Sequence, residues 1–490
     1  VISEEPINYF AVYESYCIAR DMDKTGKERY YEEFVKLISD RDQCYLELAG
    51  IYINSGLYQE AIDLLEKFIA HREKGYKETT VGRRPERYLS EPDQISPMFY
   101  YYLGYLYGKI GQDKKAEEYF RIPLTLKNWN LVFPNHLEEF FILEQAIKVV
   151  PEDYLANYAL GNILGGRYRF SDAITQWKTA LEKMSSQSDE EKNKRSDVLK
   201  VLYVNIGSVL WKIENKPDEA IPYLEKSIEY AGWHFQPYHD LASLYMEEKE
   251  INKAIKVAED GATKVRDGWF LVRDILVPLY YKQENYDRII ELLHNHWGGH
   301  IFRATFQDYY RQAHLAKGKK LFREGEFEQA LKVFDSGTEY PDILLLNEND
   351  EGSQAFAELL WWKGLTLEEL GKKGEAFIAW EKAVVKPYNT YSRGNIFKAK
   401  SLMRLGKKSE AEKLMSEIIF ACEEKSQIIT EYSSEVWFAY LDYLQAEVYE
   451  ALGDIGKAKE FYQQAINEDP AHTEPVYTDS VEKLKEIEKK

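Results

Sequence analysis

Pairs of small residues twelve positions apart recur along this chain and leave it little freedom in how to fold. Ala49–Ala61, Gly104–Ala116, Gly161–Ala173, Ala242–Ala254, Gly318–Ala330, Gly364–Ala376, Ala399–Ala411 and Ala446–Ala458 all keep this interval of 12. A degenerate unit keeps it with larger residues, Val277 and Ile289, and one unit stretches it to 13, from Gly207 to Ala220. Apolar and aromatic residues flank each pair three or four apart, the period of a helix face. Two helices joined by a short turn satisfy this pattern, with the small residues placed where the backbones cross. The step from one pair to the next varies between 35 and 57 residues, so insertions fall almost entirely after the second helix. Such connections align on one edge of a stack of pairs. Longer helices are expected to supply part of the extra length.

The clearest unit runs from Tyr443 to Pro470, YLQAEVYEALGDIGKAKEFYQQAINEDP. Its Ala446, Tyr449, Gly453, Ala458, Tyr462, Ala465 and Pro470 resemble the tetratricopeptide (TPR) helix–turn–helix, whose period is about 34 residues. Gly453 ends the first helix, where a left-handed cap is least costly for Gly. The resemblance implies an all-α fold, a right-handed α-α superhelix of about ten to twelve helix pairs. A half-recognisable additional unit is expected at His136–Val150, its first helix degraded into the loop 127–134. The expected organisation is one continuous solenoid over 1–490. Within it, 1–40 form N-terminal helices, 41–470 the repeats and 471–490 a polar capping helix. Residues 73–97 read as a long irregular loop and 187–195 as a charged, exposed connector.

A narrower resemblance rests on LAGIYINSGLYQEAIDLLE, PEDYLANYALGNILGGRYRFSDAITQWKTAL and HIFRATFQDYYRQAHLAKGKKLFREGEFEQALKVFDSGTEYP. These are similar to the C-terminal repeat region of large uncharacterised bacterial proteins with an N-terminal, carbohydrate-directed β-rich domain. No alternating β pattern precedes Pro6 here, so that resemblance places any sugar chemistry largely off this chain. It carries over no catalytic residue, because the shared motifs are packing motifs.

Composition narrows the function. With 83 acidic against 64 basic residues and a formal net charge of -19, general nucleic-acid binding is not expected, since it needs clustered Lys and Arg. No apolar run approaches the ~20 residues of a membrane-spanning helix. Three distant cysteines, Cys17, Cys44 and Cys422, form neither a disulfide framework nor a metal-ligand spacing. The chain opens with Val, so processing or a cut is expected. A cytoplasmic location is expected, or a periplasmic one if a signal peptide or upstream domain is missing.

No phosphate loop, nucleophile elbow or zinc-protease pattern occurs, so no catalytic residue, metal or cofactor is expected. The candidate binding residues lie in the connections. KNWNLVFPNH (127–136) contributes Asn128 and Trp129, and AGWHFQP (231–237) contributes Trp233 and His234. HNHWGGHIFR (294–303) contributes His294, His296, Trp297, His300 and Arg303, and KPYNTYSRG (386–394) contributes Tyr391 and Arg393. Aromatics beside Asn, His and Arg suit a protein hot spot or a sugar ring. They equally suit packing back onto their own repeat, and the histidines equally suit an ordered turn. The expected function is non-catalytic binding of a protein or peptide through the concave face and the edge of loops. The alternative is an accessory repeat half of a carbohydrate-active protein.

Overall fold

The structure, a computed structural model, describes residues 8–38, 41–73, 95–126, 129, 134–296, 299–341, 344, 355–385, 388–428, 435–468 and 476–488. The described residues form helices and turns, with no strand among them. The chain divides into two compact units, Val1–Lys249 and Glu250–Lys490.

The first unit contains α1 (Tyr9–Asp21), α2 (Lys27–Ile38), α3 (Asp42–Asn54), α4 (Tyr58–Glu73), α5 (Pro97–Lys109), α6 (Asp113–Thr125) and α7 (Leu137–Val149). It continues with α8 (Tyr154–Gly166), α9 (Phe170–Ser185), α10 (Asp189–Lys194), α11 (Ser196–Lys212), α12 (Pro217–Glu229) and α13 (Gln236–Glu247). The second unit contains α14 (Ile251–Lys264), α15 (Trp269–Leu271), a wide π turn at Val272–Leu276 and α16 (Val277–Lys282). It continues with α17 (Tyr286–Asn295), α18 (Gly299–Arg323), α19 (Phe327–Thr338), α20 (Ala355–Glu369) and α21 (Lys373–Val385). The last are α22 (Gly394–Arg404), α23 (Lys408–Ile428), α24 (Glu435–Leu452), α25 (Ile455–Asn467) and α26 (Val476–Glu488). The fold is an all-α, TPR-like solenoid.

The interval of 12 is explained by the turn within each pair. Gly453 sits at φ 83°, and the Asp454 N–H returns to the Tyr449 carbonyl at 2.9 Å, a Schellman-type closure. Tyr168 (φ 61°), Lys249 (φ 61°) and Glu284 (φ 51°) hold the same left-handed position without being Gly. Each bears a strain of about 1–2 kcal/mol. In the stretched unit the left-handed residue is Asn215 (φ 53°), and the Lys216 N–H bonds the Leu210 carbonyl at 2.8 Å, six residues back instead of five. The thirteenth residue is thus absorbed in the turn, and the helix crossing is preserved.

Where the small residue of the first helix is Gly, it faces a large one of the second. A Cβ placed on Gly104 would come within 2.5 Å of the Phe120 ring, and one on Gly207 within 2.7 Å of Leu224. Gly161, Gly318 and Gly364 are overlaid in the same way by Trp177, Phe334 and Trp380. Trp380 is almost fully buried there and donates its Nε1–H to the Trp361 carbonyl at 3.3 Å.

Irregularities in the spacing acquire physical causes. The additional helix expected before Pro151 is α7, and most of 127–133 lies outside the described residues. The long step between Ala399 and Ala446 is largely helix, because α23 has 21 residues and α24 has 18. In the degenerate unit, Pro278 has no N–H to give Asp274, and the backbone widens into the π turn just before it. The connector 187–195 is not simply exposed. Residues 189–194 form α10, and the Arg195 side chain is buried, donating to the carbonyls of Leu124 (2.8 Å) and Leu126 (2.5 Å) at the end of α6 and pairing with Glu191 (2.9 Å). Orphan carbonyls at a helix end attract a guanidinium, which fills the place of a cap. Residues 74–94 of the expected loop lie outside the described residues.

Gly-to-Ala substitution in a helix ordinarily stabilises by about 1 kcal/mol. Gly364→Ala is expected to reverse that sign, because the new methyl collides with the Trp380 indole, and to destabilise by about 1–3 kcal/mol. Gly374→Ala, where a Cβ meets nothing within 4 Å, is expected to raise the melting temperature. Thermal melts of the two variants beside wild type check the contrast.

Candidate functional site

Trp129 of the loop candidates is a core residue. It is 1% exposed, donates Nε1–H to the Pro123 carbonyl at 3.3 Å and packs edge-on against Tyr101 and Tyr158. Burial against the neighbouring helices removes this indole from any ligand. Trp233 is 57% exposed and stacks on the His234 ring at 3.9 Å. His294 and His296 donate Nδ1–H to the carbonyls of Ile290 (2.7 Å) and Leu292 (2.9 Å), closing the end of α17. His296 Nε2 also lies 3.4 Å from the Ala262 carbonyl, so these rings are held by backbone. No group of three potential metal ligands occurs among the described residues. Helix α18 begins at Gly299, which puts His300 and Arg303 on helical backbone instead of in a turn. Their side chains, like Asn128 and Trp297, lie outside the described residues. Tyr391 is half-buried against the α22–α24 core, and its carbonyl accepts from the Tyr440 hydroxyl at 2.9 Å.

Arg393 leads to a larger assembly. It sits at the start of α22, where its guanidinium grips Glu447 of α24 with two bonds (2.6 and 2.8 Å) and Glu358 of α20 with a third (3.0 Å). Lys319 of α18 pairs with Glu358 at 3.3 Å. On the far side, Lys483 of α26 pairs with Glu450 of α24 at 3.3 Å. The result is a ladder of alternating charge from α18 through α20, α22 and α24 to α26, each the first helix of its pair or the terminal helix. Glu358 and Glu447 are almost completely buried. Burial pushes the Glu447 carboxyl up, but Arg393, aided by Lys400 and Lys483, outweighs it and holds the pKa at about 2. Burial pushes the Lys400 ammonium down, against the pull of Glu447.

Helix α26 closes this inner face. Val476 and Ile487 join the apolar cluster of Tyr443 and Tyr462. The Tyr443 hydroxyl donates to Asp479 at 3.2 Å, and Glu486 reaches Arg323 of α18 at 3.5 Å. A helix with apolar residues on one side and charges on the other is thus held by α25 and by the first helices α18 and α24.

The inner face of the first unit is different. Tyr9 of α1, Glu47 and Gly50 of α3, Tyr102 of α5 and Glu138 of α7 border an open cavity of about 280 Å³. Glu139, beside it, caps α7 by accepting the N–H groups of Asn135 (2.6 Å) and His136 (2.7 Å).

Comparison with known proteins agrees with the repeat pattern. Tetratricopeptide repeat profiles match residues 42–70, 201–232, 443–472 and 315–392. The chain carries tetratricopeptide repeats. A stretch of 173 residues, 32% of the chain, is 26% identical to the BBSome complex member BBS4 homolog of Drosophila melanogaster. The match covers 33% of that relative, so the chain spans about a third of the length of the curated protein it matches. Similar solved structures include the P58(IPK) TPR domain, at 14% identity over 91% of this chain and 98% of that one, with a TM-score of 0.21. They also include YrrB, a TPR protein with an unusual peptide-binding site, at 17% over 49% and 94%, TM-score 0.19. A human IFIT1 dimer with PPP-AAAA matches at 13% over 90% and 88%, TM-score 0.24. No helix among the described residues is long and apolar enough to cross a membrane.

A depressed carboxyl pKa contributes stability above its unfolded value, and that contribution is lost as pH falls through the folded value. For Glu447 the window runs from the ordinary glutamate value of 4.5 down to about 2. Glu447→Gln is therefore expected to destabilise by about 3 kcal/mol at neutral pH, with the gap to wild type closing between those values. Denaturant melts of both proteins across that pH range measure it.

Proposed function

We propose that this chain is a non-catalytic scaffold that binds protein or peptide segments along the inner faces of its first helices. The observation carrying this reading is α26, held in the second unit by ion pairs to Arg323 and Glu450 and by apolar contact with Tyr443. A face that takes a helix of its own chain has the chemistry to take a foreign one. The tetratricopeptide repeats support a protein-interaction role, and the named membership of the Drosophila relative in a complex is in line with it. Selection from a displayed peptide library on the full chain is the test. Selected peptides are expected to lose binding when Ile51→Asp alters an inner face, and to keep it when Phe377→Asp alters an exposed position on a second helix. The reverse pattern, or no selected peptide, overturns the proposal.

Trp233 keeps a carbohydrate reading in play, because an exposed indole stacked on an imidazole offers a flat platform to a sugar ring. On that reading Trp233→Ala abolishes retention on a glycan array without lowering the melting temperature. Unchanged retention, or none by wild type, rules it out.

A further inference from the structure

The cavity on the inner face of the first unit has an uncommon charge arrangement. Two carboxylates border it, Glu47 and Glu138, beside the His136 imidazole, and no Lys or Arg is among its described lining residues. Their partners are neutral: the Tyr9 hydroxyl donates to Glu47 at 3.1 Å, and the Asn54 amide donates to Glu138. Each carboxylate thus keeps acceptor capacity, since an ionised carboxyl offers about four lone-pair sites.

A second feature points to a ligand. The Tyr102 side chain lines the same cavity, is fully buried, and its hydroxyl has no hydrogen-bond partner among the described residues. A buried polar atom left unsatisfied costs about 1–3 kcal/mol, so such atoms are rare and call for an explanation. Burial, with the fields of Glu139 and Glu138, keeps this phenol protonated. Gly50 contributes open space, because a Cβ there would touch only the Glu138 carboxyl, at 3.8 Å. At about 280 Å³ the cavity is just under the ~300 Å³ of the smallest drug-sized pockets, the scale of one long side chain.

We propose that this cavity is a subsite for the guanidinium of an arginine side chain on a bound peptide, an inference that rests on the peptide-binding reading above. A planar fork with five donors bridges Glu47 and Glu138 and leaves an N–H for the Tyr102 oxygen, whereas an ammonium is a compact point charge. The stem lies against Tyr9, Leu46 and Ile51, which line the same cavity.

The test is fluorescence polarisation of the full chain with a fluorescein-labelled octapeptide, Ser-Gly-Arg-Ser-Gly-Arg-Ser-Gly, at about 0.15 M salt, where long-range attraction is largely screened. Its citrulline counterpart keeps the shape without the charge. The arginine peptide is expected to bind more tightly than the citrulline one, and Glu47→Gln with Glu138→Gln to weaken it about tenfold or more. A chain of net charge -19 attracts any cationic peptide, so Gly50→Leu is the deciding variant. It fills the cavity with no change in charge; a Cβ has room at Gly50, and a thermal melt beside wild type checks that the larger side chain leaves the fold intact. Equal binding of the two peptides, binding that survives Gly50→Leu, or no binding of the arginine peptide overturns the proposal. Library peptides still captured at the inner faces would, in those cases, leave the broader function standing.

Discussion

Wherever Gly stands at the crossing of a pair, a large side chain of the second helix lies directly on the backbone of the first. Phe120 covers Gly104, Trp177 covers Gly161, Phe334 covers Gly318 and Trp380 covers Gly364. The ring needs the space that a Cβ would take, and the backbones cross where it is given. This contact fixes the distance between the helices, and the left-handed cap fixes the number of residues between them. Even the unit with an added residue keeps the arrangement, because Leu224 shifts by one along with Ala220. A domain of this length grows by adding units, each packed on its neighbours, without enlarging one core.

With the apolar side of each pair consumed by packing, the inner faces are free to differ, and the two units diverge there. In the second, half-buried Lys319 and Arg393 alternate with buried Glu358 and Glu447, and α26 adds Lys483. Buried ion pairs of this kind seldom stabilise more than a well-packed apolar equivalent, but they punish misregister, since any slip strands a charge. The ladder therefore specifies which first helices face one another. In the first unit the corresponding surface is left open and acidic, with a buried hydroxyl unsatisfied.

Part of this was legible in the residues. Lys319, Lys400 and Glu447 each directly follow the small residue of a first helix (Gly318, Ala399, Ala446), a position that marks one common face. The loops drew attention instead, through Trp, His and Arg beside Gly and Pro. Yet Trp129 is core, His294 and His296 satisfy helix-end carbonyls, and Arg393 serves the ladder. Aromatic and histidine content in a turn does not distinguish packing from recognition, because both use the same groups.

The sequence by itself determined the helix pairs, the turn that joins them and the small-against-large crossing, since each depends on residues within about one repeat. Only the tertiary structure decided which polar groups meet. Arg393 finds partners 35 residues before it and 54 after it, across connections of unequal length, and Tyr9 finds Glu47 38 residues on. Such meetings depend on how successive pairs stack. The repeat motif constrains each pair from within, while the angle and rise between pairs come from packing that no local spacing encodes.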